Sequence, residues 1–254
     1  MRFLYLLLFT LIAHIAQAAE IDTTGFMDPF TRIEKSRWSP ANGWVNGDHQ
    51  ACEWRANSAF VVREKLQLVI AKNRLGKLRP TACPELHTKK LSGYGYYEAR
   101  MKIAAGSGLN TNLFTYIGPP TGSPEHDEID FEFLGKDTRK VQINYFTNGK
   151  GKHEVMLPLG FDASEEFHDY AFEWTANKIR WFVDGKMAHE TPPNAIIPHN
   201  PGRIYLSLWA GSKIQDSWLG PFQFTKPITA EVEWVAFTPE GKKCLFPESV
   251  SCKQ

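Results

Sequence analysis

The stretch HDEIDFEFLG, residues 126–135, decides the fold of this chain. Glu128, Asp130 and Glu132 recur at every second position, and the residues between them are large and apolar. A period of two is typical of a β-strand, whose side chains alternate between two faces, whereas a helix would turn Asp130 away from the two glutamates. The stretch therefore predicts a strand with an acidic face toward a cleft and an apolar face toward a core.

The spacing of the two glutamates favours a catalytic pair. Strand residues four apart have Cα atoms roughly 13 Å apart, and side chains that lean together bring the carboxyl groups to about 5–6 Å. Retaining glycosidases use two carboxyl groups about 5–5.5 Å apart, one as the nucleophile and one as the acid/base. The charge of Asp130 between them disfavours a second ionised carboxylate nearby. One glutamate is therefore expected to stay protonated near neutral pH, as a general acid requires.

Two other interpretations of the acidic face remain open on the residues alone. The face could be an ordinary solvated surface, or it could bind a cation through hard oxygen ligands. The three carboxylates of residues 128–132 repel one another, which makes a plain surface face costly.

The same stretch resembles the Glu–x–Asp–x–Glu signature of glycoside hydrolase family 16, in the form without an inserted residue. Bacterial lichenases and plant xyloglucan endotransglycosylases carry that form, and HDEIDFEFLG is especially like the plant version. The flanking residues 94–98, 114–116, 135–138 and 144–149 are similar to those of lichenases. The resemblance extends from about Phe26 to about Phe237. It implies a curved, concanavalin-like jelly roll with a substrate cleft on its concave face.

The resemblance implies a role for each acidic residue. Glu128 is expected to be the nucleophile, and Glu132 the general acid that then serves as the base for water. Asp130 is expected to support both through hydrogen bonding and charge. The product should retain its β configuration, and the chemistry requires no cofactor.

Further cleft residues follow from the resemblance position by position. For Gln142, Asn144 and Phe146 the spacing of two also favours one shared strand face. For Trp209 and Trp218, packing in the core is an equally good interpretation. The residues expected to bind substrate are Trp44, Asn46, Glu85, His87, His126, Gln142, Asn144, Phe146, Glu154, Trp209 and Trp218.

Several of these positions depart from the lichenase pattern. His126 stands where lichenases carry a tryptophan, His87 replaces an arginine, and Leu86 and Ser207 each replace an asparagine. For His126, an ordinary hydrogen-bonded residue near the acids is the default interpretation. Loss of an indole and a guanidinium changes stacking and bidentate hydrogen bonding at individual subsites. The expected substrate is therefore either β-1,3-1,4-glucan or a β-glucan backbone within a bacterial exopolysaccharide.

The first 18 residues have the features of a secretory signal peptide. Arg2 precedes an apolar run at residues 3–13, and Ala16-Gln17-Ala18 forms a cleavage site. The run is too short for an ordinary membrane span. We expect a secreted or periplasmic protein with a leader at 1–18, a catalytic domain at 19–238 and a tail at 239–254.

The cysteines predict disulfides in an exported protein. The four cysteines allow three pairings. The family resemblance pairs Cys52 with Cys83, which leaves Cys244 with Cys252 to close a loop in the tail. A zinc site is the alternative, although the spacings lack the usual Cys-x-x-Cys pairs.

The rest of the chain predicts an all-β domain. Its 254 residues are 43% hydrophobic, enough for one domain with a substantial core. No helical periodicity is long, and many short strands between turn signals are typical of a sandwich or jelly roll. The alternating runs lie at residues 60–71, 94–103, 141–146, 169–174, 179–183, 204–209 and 228–237.

Charge and tail length limit the range of functions. The chain has 29 basic and 28 acidic residues, and removal of Arg2 with the leader balances them, so neither nucleic acid nor an anionic membrane is expected as a partner. A monomer is expected. The alternatives are a transglycosylase, which the short tail after Phe237 disfavours, and a catalytically silent lectin, which has no need of three crowded acids. The resemblance also allows a structural calcium on the convex side, at Glu233 and the Pro29 carbonyl.

Overall fold

The computed structural model describes residues 20–118 and 121–253, so the signal peptide predicted for residues 1–18 lies outside the described residues. Within them the chain forms seventeen strands and one four-residue helix, α1 (Asp216–Leu219). The strands are β1 (Phe26–Asp28), β2 (Trp38–Pro40), β3 (Cys52–Trp54), β4 (Ala59–Val62), β5 (Lys65–Lys72), β6 (Thr81–Cys83), β7 (Glu85–Thr88), β8 (Gly95–Lys102), β9 (Leu109–Ile117), β10 (Asp127–Leu134), β11 (Lys140–Phe146), β12 (Val155–Pro158), β13 (His168–Trp174), β14 (Ile179–Val183), β15 (Lys186–Glu190), β16 (Arg203–Ala210) and β17 (Ile228–Pro239).

The strands form the two sheets of a sandwich, as the sequence predicted. The seven-stranded sheet has the order β12-β11-β10-β9-β16-β7-β2. The ten-stranded sheet has the order β15-β14-β13-β8-β17-β5-β6-β3, with β1 added to β17 and β4 added to β5. Neither sheet closes into a barrel. The acidic strand β10 is thus an interior strand of the smaller sheet, where its neighbours β9 and β11 fix its register.

Alternation along β10 places the apolar residues in the core. Ile129, Phe131 and Phe133 are fully buried and face the ten-stranded sheet. The ring of Phe133 lies 4.6 Å from that of Tyr170, and Phe131 lies 6.4 Å from Phe172, centroid to centroid. Burial of such large aromatic side chains is the main force that holds the two layers together. It also presents the acidic face to the outside of the sandwich.

The predicted run at residues 60–71 proves to be two strands. β4 and β5 form a hairpin whose two-residue turn, Arg63 and Glu64, has positive φ angles of 50° and 56°. Such a turn usually carries Asn-Gly. An arginine and a glutamate give no turn signal, so the alternating pattern predicted one continuous strand across the turn. The other predicted runs correspond to strands β8, β11, β13, β14, β16 and β17.

Both expected disulfides are present. Cys52–Cys83 joins the parallel neighbours β3 and β6, and Cys244–Cys252 closes a loop in the tail. The tail is more firmly attached than its sequence indicates. Val250 is buried, and its backbone N–H donates to the Glu98 carboxylate on β8 at 2.8 Å.

Candidate active site

The acidic face of β10 opens into a cleft of about 980 Å³ on the outer face of the seven-stranded sheet. Hydrogen bonds to β9 and β11 on either side hold the strand. Each acidic residue therefore sits between two cross-strand neighbours on the same face. The resulting rows are Tyr116–Glu128–Phe146, Phe114–Asp130–Asn144 and Asn112–Glu132–Gln142.

Glu132 has the environment of a general acid. Burial and then the negative charge of Glu128 raise its pKa to about 7. Hydrogen bonds from Gln142 Nε2 at 2.7 Å and from Asn110 Nδ2 at 3.3 Å oppose that rise without cancelling it. The carboxyl group therefore holds a proton up to neutral pH and can donate it in the cleft.

The surroundings of Asp130 favour its protonated form. Burial, followed by the charges of Glu128 and Glu132, holds the pKa of Asp130 well above its usual range. Its carboxyl group hydrogen-bonds Glu128. The sequence argument assigned the negative charge of the row to Asp130, and the structure corrects this. After burial, the negative charge of Glu128 is the next largest cause that raises the pKa of both Asp130 and Glu132.

His126 does not line the cleft, which corrects its assignment as a substrate-binding residue. Its side chain is fully buried, and Nε2 lies 2.6 Å from Glu128 Oε2. Counting in twos from Glu128 places His126 on the cleft face, but the loop at residues 121–125 covers it. His126 therefore contacts Glu128 from within the protein and not from the cleft.

Comparison with known proteins agrees with this geometry. The sequence profile of the glycosyl hydrolases family 16 matches residues 46–235. The chain belongs to this family. It is a glycoside hydrolase.

Family 16 members with high similarity come from several bacteria. The chain is 44% identical over 228 residues to the endo-1,3-1,4-beta-glycanase ExoK of Rhizobium meliloti, covering 90% of this chain and 84% of that protein. It is 42% identical over 233 residues to a beta-glucanase of Bacillus subtilis, covering 91% and 93%. A lichenase structure from a mouse hindgut metagenome superposes with a TM-score of 0.79 at 43% identity, covering 85% and 99%.

The remaining residues predicted to bind substrate all line the cleft. Trp44 is 42% exposed, as its loop position predicted. Trp209 and Trp218 are partly exposed with ring centroids 6.0 Å apart, which favours the cleft over the core for both. Trp218 Nε1 donates to Gln142 Oε1 at 3.0 Å. The cleft residues that the sequence predicted are Trp44, Asn46, Glu85, His87, Gln142, Asn144, Phe146, Glu154, Trp209 and Trp218.

One part of the cleft presents two neutral polar groups. Burial raises the pKa of Glu85 to about 8. Burial and then the charge of Arg203 lower the pKa of His87 to about 4. Within the described part of the chain, His87 Nδ1 is buried without a hydrogen-bond partner. At neutral pH this region therefore offers a carboxylic acid and a neutral imidazole to uncharged hydroxyl groups.

Other cleft residues were missed because they lie on strands whose sequences show little alternation of polar and apolar residues. Asn112 is the clearest case, since β9 begins with polar residues that look like a loop. Once β9 is placed beside β10, the spacing of two puts Asn112, Phe114 and Tyr116 on the cleft face. The residues missed by sequence reasoning are His49, Trp54, Asn110, Asn112, Phe114, Tyr116, Thr121 and Tyr205.

The calcium allowed by the family resemblance does not fit the residues around Glu233. One carboxylate oxygen lies 2.8 Å from Arg100 Nε and the other 3.3 Å from Lys65 Nζ. Both oxygens are thus paired with cationic side chains, which would repel a divalent ion. Among the described residues, no cluster of three or more His, Cys, Asp or Glu is arranged to hold a metal.

Proposed function

We propose that this protein is a retaining endo-β-glucanase that hydrolyses β-1,3-1,4-type linkages in a glucan or in the glucan backbone of a bacterial exopolysaccharide. The observation that carries the proposal is that one strand presents Glu128 and Glu132 to the same open cleft, where burial raises the pKa of Glu132 to about 7. The names of the similar proteins, beta-glucanase and endo-1,3-1,4-beta-glycanase, support the linkage type.

The mechanism is a double displacement. In the first step a Glu128 oxygen bonds to the anomeric carbon while the glycosidic bond breaks and Glu132 gives its proton to the leaving oxygen. In the second step ionised Glu132 takes a proton from water, whose oxygen attacks the anomeric carbon and releases Glu128. Two inversions give net retention. Asp130, whose pKa is raised by burial, hydrogen-bonds Glu128 and helps to orient the nucleophile for the first step.

The lining of the cleft favours an uncharged polysaccharide. Among the described residues that line it, none is lysine or arginine, whereas Glu128 and Glu154 bring negative charge to it. An anionic sugar backbone would meet repulsion without a partner, while the faces of neutral glucose rings can stack on Trp44, Trp209 and Trp218. Any acidic substituents of an exopolysaccharide would therefore have to lie outside the cleft.

The protein is proposed to act outside the cytoplasm as a monomer. The leader at residues 1–18 and two disulfides support export to the periplasm or the medium. In the described part of the chain, no helix has the length and apolar character needed to cross a membrane.

Release of reducing sugar by the purified mature protein tests the proposal. The panel contains mixed-linkage glucan, laminarin, xyloglucan and an exopolysaccharide with a β-glucan backbone. Glu132→Gln serves as the blank, because loss of a general acid costs roughly 10²- to 10⁴-fold in rate. We expect cleavage of mixed-linkage glucan or of the exopolysaccharide.

The pattern of cleavage identifies the substrate. Cleavage of the exopolysaccharide alone would make His87 a specificity determinant. Transfer to a labelled acceptor oligosaccharide in place of hydrolysis would replace the proposal with a transglycosylase. Binding without any turnover would replace it with a lectin.

A further inference from the structure

His126 is a buried polar residue beside the proposed nucleophile, and the double displacement leaves it without a role. It immediately precedes β10 and is fully buried. Its ring centroid lies 4.6 Å from that of Phe146 and 5.2 Å from that of Tyr116. Those two residues are the cross-strand neighbours of Glu128. The imidazole is therefore held by the same row that holds the nucleophile.

The hydrogen bonds of His126 determine its tautomer. The backbone N–H of Gly122 donates to Nδ1 at 3.0 Å, and a nitrogen that accepts a hydrogen bond carries no proton. The ring proton of the neutral imidazole is therefore on Nε2. That atom lies 2.6 Å from Glu128 Oε2, so the imidazole donates to the carboxylate. A donor to a charged acceptor makes one of the stronger hydrogen bonds in proteins.

The loop that carries Gly122 is held firmly against His126. A Cβ atom on Gly149 would lie 2.4 Å from the Gly122 carbonyl oxygen, so only glycine permits this approach of the hairpin turn. The Gly149 N–H donates to the His126 carbonyl at 2.8 Å. Gly118 approaches the His126 backbone as closely, since its Cβ would lie 2.9 Å from the His126 Cα. The Thr121 side chain hydrogen-bonds Tyr116, which attaches the loop to β9.

We infer that His126 is a positioning residue, which holds the Glu128 carboxylate in the orientation for attack, and that the Gly122 N–H sets its tautomer. This inference rests on the proposed function, in which Glu128 is the nucleophile. His126 transfers no proton and touches no substrate in this role. Its neutral N–H restricts rotation of the carboxylate and stabilises the charge that attacks the anomeric carbon.

Two amide substitutions separate the two hydrogen bonds of His126. In His126→Asn, the amide oxygen can take the place of Nδ1 and accept from Gly122, but no donor reaches Glu128. In His126→Gln, the longer amide places its NH₂ near the position of Nε2 and can donate to Glu128. His126→Phe removes both bonds while it fills the space between the neighbouring rings.

Kinetics on two substrates distinguish positioning from packing. On mixed-linkage glucan we expect His126→Asn to lower kcat roughly 10- to 100-fold with KM changed less than about 3-fold, the cost of one hydrogen bond to a charged group. On a dinitrophenyl β-glycoside of a glucan oligosaccharide, whose leaving group needs no proton, the same loss should persist. Glu132→Gln should recover much of its rate on that substrate, because only the acid is missing.

Rescue by glutamine supplies the decisive comparison. His126→Gln should keep kcat within about 5-fold of the wild type, and ¹⁵N NMR of the wild type should show the proton on Nε2. The inference would be overturned if His126→Asn kept the wild-type kcat, or if the Asn and Gln variants lost kcat equally. It would also be overturned if NMR showed the proton on Nδ1. An inactive wild type would overturn the proposed function, and the role of His126 with it. An active wild type with an indifferent His126→Asn would overturn the inference alone.

Discussion

Glu132 is the residue whose ionisation should limit activity at high pH. Its pKa of about 7 means that the acid form is present below neutral pH and is lost as the pH rises. The kcat/KM on glucan should therefore fall about tenfold per pH unit above this value. Rates measured from about pH 4 to about pH 10 test this.

Gln142→Leu provides the matched variant for the pH profile. The Gln142 amide donates to Glu132 and lowers its pKa, so the substitution should move the alkaline limb to higher pH. A dinitrophenyl glycoside should lack the limb, because its departure needs no proton. The role of Glu132 would be contradicted if the alkaline fall in kcat/KM moved to lower pH in Gln142→Leu. It would also be contradicted if the fall occurred at the same pH on glucan and on the dinitrophenyl glycoside.

Glu85 should make the fold less stable as the pH rises. Its folded-state pKa of about 8 lies above the ordinary 4.5. Between these values the folded protein holds a proton that the unfolded chain releases, so increasing pH favours unfolding. Glu85→Gln does not titrate and should remove this loss, which is on the order of 3–5 kcal/mol at about pH 8. The gain in Tm should be larger at about pH 8 than at about pH 5.

Exposed Glu166→Gln is the control for this comparison, since the side chain lies on the surface. Calorimetry of both variants at the two pH values provides the measurement. A gain for Glu85→Gln that is the same at both values would show that burial of the Glu85 charge does not destabilise the protein.

The two-residue alternation of side chains along β10 explains which parts of the site could be predicted from the sequence and which could not. Counting in twos placed Glu128, Asp130 and Glu132 on one face, and the structure agrees. The family resemblance placed His126 in the cleft, and no strand pattern reports that the preceding loop covers that end. Which carboxylate carries the charge was also beyond the sequence, because it depends on burial and on donors from β9 and β11.

The β4–β5 hairpin is the element whose sequence agrees least with its conformation. Arg63 and Glu64 have φ angles of 50° and 56°, which cost L-residues roughly 1–2 kcal/mol each. The double change Arg63→Asn with Glu64→Gly should relieve part of this and raise stability by about 1–2 kcal/mol, or roughly 2–6 °C in Tm. Thermal unfolding followed by calorimetry measures it.

The β14–β15 hairpin supplies the opposite case. Gly185 has a φ of 74°, and the nearest atom to an added Cβ would be Lys253 Nζ at 3.5 Å. Gly185→Ala therefore adds backbone strain without a clash and should lower the Tm. If the Asn-Gly turn did not raise the Tm and Gly185→Ala did not lower it, positive φ angles would not limit the stability of these hairpins.

Strands were predictable from sequence where one face is apolar and the turn has a recognisable signal. β11 ends at Thr147-Asn148-Gly149 and β14 at Asp184-Gly185, and both were found with their turns. β9 was missed because polar Asn110 and Asn112 alternate with its core residues and are themselves buried beneath the cleft. Their burial depends on Glu132 and Ser207 in the neighbouring strands, which a local pattern does not contain.

At the scale of the whole molecule, the tail and the cleft lie on opposite sheets. The cleft belongs to the seven-stranded sheet, whereas Ser249 and Val250 both donate to Glu98 on the ten-stranded one. Val250 also packs with Ala171 and Phe182 in a cluster separate from the main core. The tail is therefore expected to stabilise the fold without affecting catalysis.

Ending the chain at Pro239 tests this separation. Loss of the two donors to a carboxylate and of the Val250 cluster should cost about 2 kcal/mol, or roughly 4–8 °C in Tm. The kcat/KM should stay within about twofold, because no tail residue lines the cleft among the described residues. The double change Cys244→Ser with Cys252→Ser keeps the donors but opens the loop, so its Tm should lie between those of the truncated and full-length proteins. A truncated enzyme with unchanged Tm would show that the docked tail adds no stability. A truncated enzyme with full stability but reduced kcat/KM would instead show coupling between the two sheets.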